Sequence, residues 1–539
     1  MIETIQIAVL LLVVVAAVAY AARRLGVPPA ILLVLVGVFL ALVPGLPRVE
    51  LVPDLVLLLV LPPLIYTAGV AMSWREFRFN LRPIVLLAVG CVVFTSVAVA
   101  AVAHAVLGVP WPVGFVLGAI ISPPDVVAPL AIARRLGLPR RLVVILEGEG
   151  LANDATALIL YRFAVVAVST GTFSLGGALA TFAVIFVAEI AYGVAVGWLM
   201  LRVRHAARDP RVEITLALVT PYLAFWLPQH LGGSGVLATV AAGLYVSWNG
   251  PMLIASATRL QGIFFWDLLT YLIEGMVFVL TGLQARTTLD RAAGLPASEL
   301  LTSAVVISTV VIVARFVWVF PATYLPRWLL PSLARRDPAP SWQTAFLVGF
   351  TGIRGIVSLA AALAIPLTTA SGAPFPHREL ILFLTFCVVV VTLVGRGSLL
   401  PTVIRWLRLA AIGRDERRAE KAEELASQRQ TVEAAVRRLD ELAAERNLPA
   451  NIVDLLRGQQ RERLQQLDYR MGADESETQL ARVVEEMQLL LIEEERKRLY
   501  ELLSGGQVKD DARRRIEHDL DLQEAHLRRT GLVDQDDDV

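Results

Sequence analysis

Apolar residues fill the first 410 positions in long runs, and the pattern then changes abruptly. A helix that crosses a bilayer needs roughly 20 apolar residues. On that rule about thirteen candidate spans appear, near 3–22, 28–45, 51–72, 82–107, 111–133, 142–169, 176–201, 212–231, 234–249, 261–284, 299–325, 342–369 and 379–407. Those near 28–45 and 234–249 are short and interrupted by Gly or Pro. Beyond residue 410, Glu, Arg, Asp and Gln crowd the chain. Glu420 to Glu445 and Thr478 to Leu503 carry apolar residues at three- and four-residue spacing, which predicts solvated helices broken at Leu448-Pro449 and at Ser504-Gly505-Gly506. The expected organisation is a transmembrane domain, 1–410, and a cytoplasmic charged α-helical tail, 411–539. The fold class is an all-α polytopic membrane protein.

Loop charge tests this map independently. Odd-numbered loops carry Arg23 and Arg24; Arg75, Arg78 and Arg82; Arg134, Arg135, Arg140 and Arg141; Arg202, Arg204, Arg208 and Arg211; Arg259; and Arg327, Arg335 and Arg336. Even-numbered loops carry only Arg48, Arg286, Arg291 and Arg378. Arginine-rich loops are the cytoplasmic ones. The alternation places the N-terminus outside and the tail inside, in the cell membrane. Arg23 and Arg24 follow the first apolar run instead of preceding it, so that run reads as a span and not as a signal peptide.

Composition agrees. The chain is 56% hydrophobic and 18% charged, against about 25% charged in soluble domains. Its net charge of +1 sums two environments and points to no partner. The bilayer is the expected partner, and nucleic acid is not. Cys91 and Cys387 lie in separate apolar runs and read as small apolar fillers, with no disulfide framework or metal cluster.

An ionisable residue inside a span costs about 2.5–3.5 kcal/mol on insertion scales, so each is a functional candidate. The fifth span holds Ser122-Pro123-Pro124-Asp125. Two prolines remove two backbone donors and free carbonyls upstream. Freed groups survive in lipid only where they line a cavity or are buried in protein, so a break at Asp125 is expected. The sixth span holds Glu147-Gly148-Glu149-Gly150-Leu151-Ala152-Asn153-Asp154. At roughly 100° per residue, Glu149 and Asn153 share a face while Asp154 is rotated by about 140° from Glu149. Glu149 and Asp154 therefore face different partners, and Glu147 lies two turns toward the cytoplasm from Asp154. The twelfth span holds Gly349-Phe350-Thr351-Gly352-Ile353-Arg354-Gly355. A buried arginine stays protonated and needs a carboxylate. If the spans form two inverted repeats, the fifth and twelfth correspond, and paired discontinuous helices mark a transporter site. Arg162, Glu189, Asp267, Glu274 and Arg315 are the other charges within spans, and Glu274, with Glu147 and Thr67, is an accessory candidate for the site.

These residues carry a resemblance. Glu149 with Asn153-Asp154 is similar to the E-x-x-x-N-D motif of sodium/proton exchangers, in the first subgroup of the monovalent cation:proton antiporters. Ile121 to Pro129 and Gly352 to Ser358 resemble that family's fifth- and twelfth-span motifs, and Ser234 to Gly243 and Phe278 to Gln284 resemble further segments. The resemblance implies two six-helix inverted repeats with broken helices crossing at mid-membrane, a homodimer, and a core that moves against a dimerisation domain. It implies that Asp154 binds cation and proton alternately, that Asp125 neighbours it, that Asn153 supports it, and that Glu149 pairs with Arg354. The Asn-Asp pair implies electroneutral exchange. Three positions depart from the pattern: Thr67 where relatives carry an acid, Gly150 where they carry Ser, and Pro124 where a hydroxyl is usual. Each departure removes an oxygen, which Ser122 or freed carbonyls could replace.

The resulting expectation is a secondary antiporter that exchanges Na+ or Li+ for H+ by alternating access, with K+/H+ exchange as the alternative. It is not an enzyme and uses no cofactor; the transported Na+ meets Asp154 and Asp125. Carrying Asp154 ionised and unpaired through the membrane would be too costly, so either ion must neutralise it. Gly232-Gly233-Ser234-Gly235 also matches the GxSG of intramembrane serine proteases, but no later span supplies a histidine. A channel and a symporter for an organic anion are the other rivals.

Overall fold

Lipid offers no partner for an open N–H or C=O, so each apolar run closes its backbone bonds within itself. The computed structural model describes residues 2–44, 51–171, 174–472 and 475–530; Arg48 and positions 531–539 of the expected tail lie outside the described residues. The apolar runs form α1 (Ile2–Leu25), α2 (Pro29–Leu42), α3 (Pro53–Ala71), α4 (Leu81–Leu107), α5 (Trp111–Ile121), α6 (Val127–Arg135), α7 (Arg140–Thr170) and α8 (Leu175–Ala207). After these come α9 (Pro210–His230), α10 (Val236–Leu253), α11 (Ser256–Ala292), α12 (Ala297–Leu329), α13 (Trp342–Phe350), α14 (Ile356–Leu363) and α15 (Arg378–Leu407). Among the described residues nine of these are long and apolar enough to cross a membrane, and α2 and α5 are shorter apolar helices. Every expected span has a helical counterpart, but the fifth and twelfth are each split in two, as α5 and α6 and as α13 and α14.

Local chemistry sets the ends. Asp209 accepts from the N–H groups of Arg211 (2.8 Å) and Val212 (3.2 Å) and so caps α9. Gly108 and Gly171 stop α4 and α7 in the left-handed region, at φ of 65° and 68°.

Small residues decide which helices lock together, because a missing Cβ lets backbones approach. A Cβ at Gly37 of α2 would stand 2.4 Å from the Val279 carbonyl oxygen of α11, and one at Gly193 of α8 would stand 2.1 Å from that of Ala238 of α10. Gly69 of α3 meets Gly243 of α10 in the same manner, with 3.3 Å left for a Cβ. A separate set joins α4, α5, α7 and α12. There Gly118 would collide with the Ser96 carbonyl oxygen at 2.4 Å, Gly148 with Ile84 at 2.3 Å and Gly90 with Trp318 at 2.3 Å.

At the arginine-rich end of that second set, three guanidiniums converge on Asp337. Arg82 and Arg327 reach Oδ2 at 2.8 Å each, and Arg141 reaches Oδ1 at 2.7 Å. This ties the starts of α4 and α7 to the connection after α12.

The chain separates into two compact units, Met1–Gly413 and Arg414–Val539. The second is helical, with α16 (Leu409–Arg446) running into it, then α17 (Ala450–Gly472), α18 (Glu475–Ser504) and α19 (Asp510–Thr530). Arg496 of α18 pairs with Asp521 and Glu524 of α19, both at 2.6 Å. Such exposed pairs contribute little to stability, because solvent screens them.

Candidate functional site

The two interrupted spans cross at their breaks. The Asp125 N–H donates to the Ile353 carbonyl at 2.7 Å, in an isolated antiparallel bridge. Where α5 stops, its last carbonyls lose their intrahelical donors. Side chains supply substitutes around the break. Ser122 Oγ donates to the Ala119 carbonyl at 3.3 Å. Arg354 Nε donates to the Ile121 carbonyl at 2.9 Å, and its terminal nitrogens to Ser122 at 3.2 Å and Gly352 at 2.6 Å. Asn153 Nδ2 donates to the Pro124 carbonyl at 2.7 Å. At the end of α13, Arg396 donates to the carbonyls of Gly352 (2.9 Å) and Gly349 (2.6 Å), with the rings of Phe316 and Phe350 beside its guanidinium.

This arrangement corrects the expected ion pair. Glu149 is held by Arg315, not by Arg354. Arg315 closes a two-pronged contact on it at 2.6 and 2.8 Å, with both side chains buried, and donates its Nε to the Val348 carbonyl at 3.0 Å. The reason is competition for donors. Arg354 is consumed by the carbonyls around the two breaks, and Arg315 on α12 has its planar fork free.

The glycines of the twelfth span make the crossing possible. A Cβ at Gly355 would fall 1.8 Å from Asp125 Oδ2, and one at Gly352 would fall 2.3 Å from Arg315 Cδ. Gly150 is likewise closed by Val126, at 2.3 Å. The space a serine would need there is filled with methyl groups.

A cavity of about 170 Å³ opens beside the crossing. Asp125, Asp154, Glu274, Ser358, Glu147 and Arg134 supply its polar lining. Asp125 Oδ1 also accepts from the Val127 N–H at 2.9 Å. Glu147 pairs with Arg134 at 2.7 Å, at the arginine-rich end. Among the described residues no side chain hydrogen-bonds to Asp154 or Glu274, and no ion pair engages either.

Other residues expected near the site are absent from the cavity lining. Thr67 Oγ1 donates back to Pro63 and Leu64 of its own helix, both at 2.9 Å. Ser122 Oγ accepts from Ser96 Oγ at 3.1 Å. Asn153 is fully buried, and its Oδ1 has no partner among the described residues. Three residues of the site went unassigned from the sequence. Ser358 lies in the quoted twelfth-span motif, Arg315 was noted only as a charge within a span, and Arg396 fits the same intramembrane-charge rule.

The GxSG segment has a structural use. The N–H groups of Ser234 (2.5 Å) and Gly235 (3.1 Å) and the Ser234 hydroxyl (3.0 Å) all donate to Glu189, at the start of α10. Ser234 thus faces a carboxylate and not a histidine base.

Residues 9–406 match the family described as sodium/hydrogen exchanger, transmembrane. An uncharacterized Na+/H+ exchanger of Mycobacterium tuberculosis is 36% identical over 514 residues, covering 94% of this chain and 93% of that protein. A sodium, potassium, lithium and rubidium/H+ antiporter of Bacillus pumilus is 32% identical over 387 residues, covering 70% of this chain and 57% of that protein. The solved structure of the sodium proton antiporter MjNhaP1 from Methanocaldococcus jannaschii shares the fold with a TM-score of 0.61, at 19% identity, over 75% of this chain and 99% of that one.

Proposed function

The chain belongs to the transmembrane sodium/hydrogen exchanger family, and from that premise we propose that it exchanges Na+ for H+ across the cell membrane by alternating access at Asp154. The observation that carries the reading is the pairing of two acids on one cavity at the crossing of two broken spans. Asp125 is committed through its N–H to Ile353 and through Oδ1 to Val127. Asp154 has no such commitment and is the exchanging group. Its ionised form is costly to carry through lipid. The crossing therefore moves when either a proton or a cation neutralises it, and competition between the two produces antiport. With one exchanging carboxylate beside a neutral amide, Asn153, the cycle is electroneutral.

Asn153, Glu149 and Arg354 act as supports in this reading. Asn153 and Arg354 hold the carbonyls of the broken span, and Glu149 is locked by Arg315. The chain works as a homodimer with its N-terminus outside and its tail in the cytoplasm, a sidedness supported by the arginine content of the odd loops.

Potassium exchange is the second reading. It is favoured by the absence of Thr67 and Ser122 from the cavity lining, which leaves fewer fixed oxygens to enforce a small ion. The B. pumilus relative, whose name includes potassium and rubidium, agrees with such breadth.

The test uses everted vesicles with an acid interior. Sodium, lithium and potassium are added separately while lumenal pH is followed. Sodium is expected to alkalinise the lumen, and the Asp154→Asn protein to leave it acid. No response to any of the three ions would remove the exchanger reading.

A further inference from the structure

Glu274 lines the same cavity as the two aspartates, from a different helix. Its helix, α11, is seated on α2 by direct backbone approach. A Cβ at Gly282 would stand 2.3 Å from the Val34 carbonyl oxygen, matching the 2.4 Å at Gly37. Gly275, next to Glu274, is closed by Val15 of α1 at 2.5 Å. Asp125 and Asp154 instead belong to the crossing, through the Ile353 bridge and the packing of α7 on α4. The other charged groups on the cavity, Glu147 and Arg134, neutralise one another at 2.7 Å. Its net charge therefore rests on Asp125, Asp154 and Glu274.

Among the described residues no three acidic, His or Cys side chains close on one point as a metal cage would. A carboxylate that lines the cavity acts on a cation through space as well as by contact. A charge in a cleft with apolar walls such as Leu61, Ile65 and Phe278 acts strongly, because low-dielectric walls focus its field.

We propose that Glu274 sets the cation affinity of the exchange reaction from one face of the membrane only, by gathering cations toward Asp154 while the cavity is open at the Arg134–Glu147 end. The inference rests on the exchanger reading. Its one-sidedness follows from attachment: alternating access must re-expose Asp154 to the far face, and α11, locked to α2, stays behind. A cation arriving from the Arg134 face meets three carboxylates. One arriving from the other face meets the site without Glu274.

The test compares everted and right-side-out vesicles, which offer sodium to opposite faces. Glu274→Gln is expected to raise the sodium KM by roughly three- to tenfold at the Arg134 face, the scale for losing one focusing charge. The KM at the opposite face and the maximal rate should stay within about twofold of the unsubstituted protein. Glu274→Asp, which keeps the charge, should restore the KM. Choline chloride should narrow the gap between the unsubstituted and Gln proteins, since salt screens the field. A gap that is absent, equal at both faces or unaffected by choline overturns the proposal. If the Gln protein does not reach the membrane, the unsubstituted protein decides. Its KM should rise more steeply with choline at the Arg134 face than at the other, and equal slopes overturn the proposal. Asp154→Asn is measured alongside. Full exchange in that variant sinks the exchanger site itself, whereas an inactive Asp154→Asn with unchanged Glu274→Gln kinetics sinks only the role of Glu274.

Discussion

Arg315 and Glu149 meet fork to fork, at 2.6 and 2.8 Å, in the interior of the membrane unit. Neither reaches solvent, and Arg315 spends its remaining Nε on the Val348 carbonyl at the end of a broken helix. One ion pair thus joins α7, which carries Asp154, to α12 and α13. Removing one partner of a buried pair leaves a bare charge and costs about 3–5 kcal/mol. Glu149→Ala should therefore lower the thermal unfolding temperature in detergent sharply. Replacing both residues with apolar ones of similar volume should recover part of that loss, and equal melting of the single and double variants would contradict the pairing.

Asp154 and Asp125 share a cavity, and the proposed exchange cycle gives them different tasks. Asp154→Asn should abolish exchange while leaving the amount and melting of the protein nearly unchanged. Asp125→Ala should weaken both, because it removes the oxygen that accepts from the Val127 N–H at the start of α6. Comparing sodium-driven alkalinisation with melting of the same preparations separates the two effects.

Gly355→Ala is expected to cripple exchange at least tenfold. The added methyl would stand 1.8 Å from Asp125 Oδ2, and overpacking of this kind costs about 1–3 kcal/mol or more. Gly262→Ala is the control, because a Cβ there meets nothing within 4 Å. Vesicle exchange normalised to protein in the membrane is the measurement. Equal activity of the two variants would show that the close approach at Gly355 is dispensable.

The Asp337 cluster gives a pH signature. Burial opposes ionisation of Asp337, but the guanidinium groups of Arg141, Arg327 and Arg82 outweigh it and hold the carboxyl below its ordinary 3.8. A depressed folded-state value means that the cluster stabilises fully above the unfolded value and fades as pH falls through the folded one. Asp337→Asn should thus lower the melting temperature at neutral pH, and its deficit should shrink as pH falls below 3.8. A deficit independent of pH would mean that the aspartate acts by shape alone.

Ser234→Ala should leave exchange intact and cost about 1.5–3 kcal/mol of stability, the scale for a hydrogen bond to a carboxylate such as Glu189. Loss of transport with unchanged melting would assign Ser234 a role in the cycle.

Much of this protein was written in its sequence. Apolar run length determined where the spans lie, because a bilayer core admits only self-satisfied helices of that length. Pro123-Pro124 determined that the fifth span breaks, since two missing donors cannot be restored within the helix. Helical periodicity also separated Asp154 from Glu149, and only Asp154 lines the cavity. What periodicity cannot supply is the neighbour across a gap. It gave Glu149 an unnamed partner, and tertiary packing chose Arg315 once the freed carbonyls had claimed Arg354. The same held for Thr67 and Ser122, whose hydroxyls went to backbone carbonyls of their own helices. It held also for Glu274, which stands 120 positions beyond Asp154 in the sequence and lines the same cavity. Apolar length and missing donors are properties of a segment, so the sequence alone determined them. Which charge meets which depends on three-dimensional competition for donors, and only the folded chain decided it.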